Sequence, residues 1–213
     1  MLKLNKYITY YSFFIGILIL SFSPEAKAQF FDGGVLAGIA ATQIDGDRIA
    51  GYDKANLKLG MFIERKLKKR RRRRGGKKWN YGGEIYYIGK GSSTKAKTAV
   101  NSALVIQLHY IECSPYALYE FQKNTSIQGG ISIATLLSNT ITEGLNEWSS
   151  DEFNNLDLNY FIGIKYYLSK HFAIDARAQR SLTPFATVDT NKPAYNEPGL
   201  RNILLSFNAY YKL

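Results

Sequence analysis

From Leu156 to Leu168 every second residue is apolar: Leu156, Leu158, Tyr160, Ile162, Ile164, Tyr166 and Leu168 alternate with Asp157, Asn159, Phe161, Gly163, Lys165 and Tyr167. A period of two marks an extended strand, because successive side chains leave the backbone on opposite sides. The C-terminus repeats the rhythm, with Ile203, Leu205, Phe207, Ala209, Tyr211 and Leu213 set against Asn202, Leu204, Ser206, Asn208, Tyr210 and Lys212. So does an earlier stretch, where Leu57, Leu59, Met61 and Ile63 oppose Asn56, Lys58, Gly60, Phe62 and Glu64. Turn residues punctuate the pattern at Asp45-Gly46-Asp47, Gly75-Gly76, Gly91-Ser92-Ser93, Lys123-Asn124, Ser169-Lys170-His171 and Pro198-Gly199. Between them the sequence predicts eight strands, at 31–44, 55–67, 79–90, 103–121, 125–138, 154–168, 172–182 and 201–213. It predicts no long helix.

Such strands need an environment for two unlike faces. A soluble periplasmic lipid-binding barrel would turn the apolar faces inward; a membrane barrel would turn them outward. Three features favour the membrane. Strands of ten residues or more suit a tilted bilayer crossing, whereas soluble strands run nearer ~5–6 residues. The polar faces carry both signs of charge. The connections alternate between long polar loops and very short turns, the habit of bacterial outer-membrane barrels. The expected fold is therefore all-β, an eight-stranded antiparallel up-and-down transmembrane β-barrel. Lys58, Glu64, Glu84, Glu112, Lys165, Asp175 and Arg177 are expected in its interior, neutralising one another across a plugged lumen. Trp79, Tyr81, Tyr87, Phe207 and Tyr211 are expected as interfacial anchors on its outside.

The N-terminus supplies the route to that membrane. Lys3 and Lys6 precede a short apolar run, Phe13 to Leu20, and Ala26-Lys27-Ala28 places small residues where a signal peptidase reads them. This is the three-part secretory signal, so residues 1–28 are expected to be removed and 29–213 to form the barrel domain. The apolar run falls short of the roughly 20 residues that span a bilayer as a helix. A single cysteine, Cys113, excludes an internal disulfide framework.

The whole chain carries a formal net charge of +11, which resembles a nucleic-acid signal until it is located. Eleven basic residues fall between Arg65 and Lys78. After Ala28 there are 25 basic and 16 acidic residues, and removing those eleven leaves a net of −2. The charge belongs to one turn and not to the fold. Lys68, Lys69, Arg70, Arg71, Arg72, Arg73, Arg74, Lys77 and Lys78 suit the phosphates of outer-membrane lipid, at ~1 kcal/mol per charge near an anionic leaflet. The alternatives are the carboxylates of a periplasmic or secretion-machinery protein, or no specific ligand at all. Export makes nucleic acid a poor partner.

Catalytic chemistry finds little support. Only His109 and His171 can act as bases near neutral pH, and neither joins a Ser/His/Asp arrangement. Metal-ligand spacing is absent, and no cofactor is expected. The expectation is a non-enzymatic barrel. A small transport or enzymatic barrel using its interior charges is the alternative within the same fold.

Gly34-Val35-Leu36-Ala37-Gly38-Ile39-Ala40-Ala41-Thr42-Gln43-Ile44-Asp45-Gly46-Asp47, followed by Gly51-Tyr52-Asp53-Lys54, resembles the opening of the PorT-type outer-membrane β-barrel family of Bacteroidetes. Gly83-Glu84-Ile85-Tyr86-Tyr87-Ile88-Gly89-Lys90-Gly91-Ser92 does so as well, and Tyr110-Ile111-Glu112-Cys113-Ser114-Pro115 is similar to that family's YLEIP strand, with Cys113-Ser114 altering its spacing. The resemblance implies an eight-stranded barrel in the outer membrane. Some members of that family serve type IX secretion and gliding, so the resemblance also implies an accessory or scaffold role in such an apparatus.

Overall fold

The computed structural model describes residues 31–45, 54–66, 79–93, 104–143, 146–149, 153–187 and 199–213. The barrel unit runs from Asp32 to Leu213. Its strands are β1 (Asp32–Asp45), β2 (Lys54–Lys66), β3 (Trp79–Ser93), β4 (Leu104–Gln122), β5 (Thr125–Glu143), β6 (Asn146–Trp148), β7 (Leu156–Tyr167), β8 (Phe172–Ser181), β9 (Ala186–Thr187) and β10 (Gly199–Lys212). Eight of them form the wall, each antiparallel to its neighbours in the order β1-β2-β3-β4-β5-β7-β8-β10. Pairing of β1 with β10, from Gly34↔Lys212 to Asp45↔Arg201, closes the sheet. Closure follows from the solvent: hydrocarbon offers no partner to an edge N–H or C=O, so a spanning sheet must satisfy every one internally.

The eight long strands agree with the sequence expectation to within a few residues. The short β6, paired with the end of β5, and β9, paired with the start of β10, were not expected. Sequence alternation is too brief over three or two residues to register.

The apolar faces point outward. Ile162 and Ile164 are 61% and 54% exposed, while Asp157 and Lys165 are 0% and 1% exposed. This excludes the soluble barrel with an inward apolar face. The outer wall carries Ile39, Leu59, Met61, Ile85, Ile111, Ile133 and Phe207, all exposed. Exposed Trp79, Tyr119, Phe172 and Tyr211 gather at one rim, with Trp79 against Tyr119 and Phe172 against Tyr211, each pair 5.0 Å between ring centroids. That is the aromatic girdle expected where hydrocarbon meets headgroups. Phe207 departs from the expectation. It sits mid-wall opposite Ile39 and Ala176, because it lies too far from the C-terminus for the register to carry it to the rim.

Both tight turns share that rim with the chain's C-terminus. At Lys123-Asn124 the second residue adopts φ 64°, a conformation asparagine tolerates. At 168–171, the Ser169 hydroxyl accepts from the N–H groups of His171 and Phe172, and the His171 carbonyl accepts from Lys212 N–H. The opposite rim is reached by the ends of the longest strands. There β4 and β5, 19 residues each, run past the ~9–11 residues a tilted crossing needs. A register shift at His109/Tyr110 leaves Leu137 as an extra residue on β5.

The lumen is narrow enough that glycine is required where large side chains cross it. A Cβ on Gly163 would lie 2.8 Å from Arg177 Cγ, and one on Gly82 would lie 2.4 Å from the Tyr116 ring. Eight strands leave an interior that side chains fill.

Candidate functional site

The inward faces of the strands bring nine charged side chains into the lumen: Lys58, Glu64, Glu84, Lys90, Glu112, Asp157, Lys165, Asp175 and Arg177, none more than 5% exposed. All seven residues expected inside are among them. Lys90 and Asp157 were not in that set. The signal for both was parity: Lys90 shares a face with Glu84, and Asp157 shares one with Lys165.

The charges form three groups along the barrel axis. Nearest the tight-turn rim, Lys165 is ion-paired with Glu64. Tyr116 and Tyr167 donate to the two oxygens of that carboxylate, each at 3.0 Å. At mid-barrel, Arg177 grips Glu84 with two N–H groups, Nη1 at 2.8 Å from Oε2 and Nη2 at 2.5 Å from Oε1. Its Nε donates to Asp175 Oδ2 at 2.7 Å. Lys58 Nζ lies 3.6 Å from Glu84 and 3.7 Å from the centroid of the Tyr86 ring. Gln128 and Asn208 donate to Asp175 at 2.7 and 2.6 Å. The Tyr210 hydroxyl stands 2.6 Å from Asp175 Oδ2 and 2.9 Å from Glu84 Oε1, within reach of either.

Toward the loop rim, Lys90 Nζ bridges Glu112 at 2.5 Å and Asp157 at 3.1 Å. Tyr86 and Gln179 donate to Glu112 Oε2 at 2.6 and 3.0 Å, and Asn202 donates to Asp157 Oδ2 at 3.0 Å. Charge-assisted hydrogen bonds of this kind are about twice as strong as neutral ones, and they set each side chain in one rotamer.

Ile44, Ile106, Phe185, Leu200 and Leu204 are buried toward the loop end, part of one apolar cluster that runs down the lumen to Tyr86, Phe62 and Tyr210. Residues 183–200 fall between the seventh and eighth strands that the sequence predicts, yet Phe185 and Ala186 are buried. Phe185 N–H donates to Leu200 O, its carbonyl accepts from Asn154 N–H, and its ring packs edge-on to Phe153 at 5.6 Å. Backbone pairing of β9 with β10 holds Phe185 and Ala186 in this buried position.

The remaining candidates fall elsewhere. Lys68, Lys69, Arg70 to Arg74, Lys77 and Lys78 lie outside the described residues, as do residues 1–28. His109 stacks on Tyr87 on the outer wall, Nδ1 2.5 Å from the Tyr87 hydroxyl, and Cys113 is an exposed outer-wall residue. His171 sits in the exposed tight turn. Among the described residues, no group of three or more His, Cys, Asp or Glu is placed to hold a metal ion.

An apolar belt outside, a closed antiparallel wall and a lumen packed with paired charges define an eight-stranded transmembrane β-barrel of the bacterial outer membrane. The chain belongs to the outer membrane protein beta-barrel domain family, whose model matches residues 11–187. No curated protein sequence matches it. Its fold is similar to that of Neisserial surface protein A, at a TM-score of 0.56 and 12% identity over 85% of this chain and 97% of that one. It is similar as well to Ail, the attachment invasion locus protein of Yersinia pestis, solved with the heparin analogue sucrose octasulfate. There the TM-score is 0.50 and the identity 11%, over 86% of this chain and 99% of that one.

Proposed function

We propose that this outer-membrane barrel is a plugged, non-enzymatic scaffold that serves as an accessory of a type IX secretion or gliding apparatus. The observation that carries the scaffold reading is the lumen itself. Three groups of buried ion pairs cross it, with apolar side chains packed between them. Moving a solute through would break several buried pairs at once, and removing one partner of such a pair costs about 3–5 kcal/mol. In planar bilayers the purified protein is expected to give no large steady conductance. A sustained open-channel current would defeat the plugged reading and favour transport.

The secretion part rests on the resemblance of the β1, β3 and β4 sequences to PorT-type barrels. In this reading both termini and the tight turns face the periplasm, which puts the basic turn at 68–78 on the same side. There its arginines bind leaflet phosphates or dock an acidic component of the apparatus. Deleting the gene is expected to impair protein secretion or surface motility, and a copy with Arg70 to Arg74 replaced by Gln tests the turn separately. Normal secretion and motility in the deletion strain would remove the assignment.

A further inference from the structure

The in-and-out alternation of β3 breaks at its loop end. Glu84, Tyr86 and Ile88 are buried and Ile85 and Tyr87 exposed, but Gly89, Lys90, Gly91 and Ser92 are all buried. A strand in a membrane wall keeps one face outside, so this run places the end of β3 behind the wall and not in it. The ladders agree. β2 pairs with β3 from Lys66↔Asn80 only as far as Lys58↔Ile88. Beyond that point β2 stays paired with β1 to Lys54, and β3 stays paired with β4 to Ser93. A seam therefore separates residues 54–57 from residues 89–92.

Side-chain contacts fix where the end of β3 goes instead. Thr42 Oγ1 donates to Gly91 O at 2.8 Å, although Thr42 lies on β1 and β2 stands between the two strands in the sheet. Lys54 Nζ donates at 3.0 Å to Ile106 O, on the part of β4 paired with this end. Lys90 Nζ reaches Asp157 Oδ2 at 3.1 Å on β7, three strands further round the wall. Gly91 permits the bend with φ 138°, which L side chains rarely adopt. At Gly89 a Cβ would lie 3.2 Å from Asn56 Cβ.

We infer that residues 89–92 form a hinged strand end with two positions. One is the inward position, latched by Lys90 on Asp157 and stapled by Thr42 and Lys54. The other returns to the wall and continues the β2–β3 register through Leu57↔Gly89, Asn56↔Lys90, Ala55↔Gly91 and Lys54↔Ser92. The swing exchanges side-chain hydrogen bonds for ladder bonds, a trade between two discrete arrangements of the same chain. It closes the seam and withdraws the strand end from the loop end of the lumen. The Lys165–Glu64 and Arg177–Glu84 pairs lie nearer the tight-turn rim and stay in place, so the lumen opens at one end only.

Disulfide trapping in the refolded full barrel, with Cys113 replaced by Ser, separates the two positions. Asn56 faces inward, where its amide donates to Thr42 Oγ1, and Leu57 faces outward, 52% exposed. In the inward position Asn56→Cys with Gly89→Cys sets two Cβ atoms close to the ~3.5–4.5 Å that a disulfide takes. In the wall position the same two side chains leave opposite faces and cannot join. Leu57→Cys with Gly89→Cys places two thiols directly opposite on one face in the wall position alone. Both pairs are expected to crosslink under mild oxidation, the second more slowly. Asp157→Asn removes the latch and is expected to speed the second roughly tenfold, the worth of one charge-assisted hydrogen bond. A second pair that stays reduced with and without Asp157→Asn would show a fixed strand end and overturn the inference. So would a rate that Asp157→Asn leaves unchanged. Failure of the first pair to crosslink would show that the strand end does not fold inward and would overturn it as well.

Discussion

Replacing Arg177 with Leu is expected to destabilise the barrel more than any other single change in the lumen. The side chain makes three charge-assisted hydrogen bonds to Glu84 and Asp175 and packs 4.7 Å from the Phe161 ring centroid. Removing it leaves two buried carboxylates with only Lys58, 3.6 Å from Glu84, as a cation. Breaking a buried pair in this way costs about 3–5 kcal/mol, mostly through the charge left behind. Equilibrium unfolding in urea with lipid vesicles should show that loss. The paired replacement of Arg177 with Leu and Glu84 with Gln should recover part of it, because Lys58 and Asp175 remain to balance each other. A double variant no better than the single one would mean that Arg177 acts through packing and not through charge. A single variant within ~0.5 kcal/mol of the parent would mean that the pairing contributes little.

The second large effect is expected on the opposite face. Ile162 lies mid-wall between Gly129 and Ala178 and is 61% exposed. In water, an exposed Ile→Arg change on a strand would be nearly neutral. In a bilayer an arginine at the midplane costs about 2–4 kcal/mol, falling toward zero near the interfaces. Ile162→Arg should therefore lose that much stability in vesicles, while Leu168→Arg, beside the tight turn, should lose far less. The contrast reads the position of the membrane directly. Equal costs at the two sites would show that the wall is not crossed by lipid where the apolar belt places it.

Both predictions rest on a single parity along each strand, and that parity was legible in the sequence. The alternation at 156–168 and 203–213 fixed which residues share a face, and mixed charges on the polar face chose lipid for the other. This is why the sequence assigns seven charges to the lumen. A period of two leaves no freedom, since shifting one residue turns over the whole strand.

Partnership was not legible. Nothing in the linear order says that Arg177 meets Glu84, 93 residues away, or that Lys90 faces both Glu112 and Asp157. Those contacts depend on the stagger between strands and on which side chains cross the lumen at the same height. The burial of Phe185 was hidden for a related reason, since it follows from backbone pairing with Leu200 and Asn154 on distant parts of the chain. Sequence determined the strands, their faces and the membrane they suit, because alternation and turn chemistry act within a few residues. Only the closed tertiary structure decided how the buried charges pair across the lumen and where Phe185 is buried. Those depend on distances across the barrel, which only closure of the sheet sets.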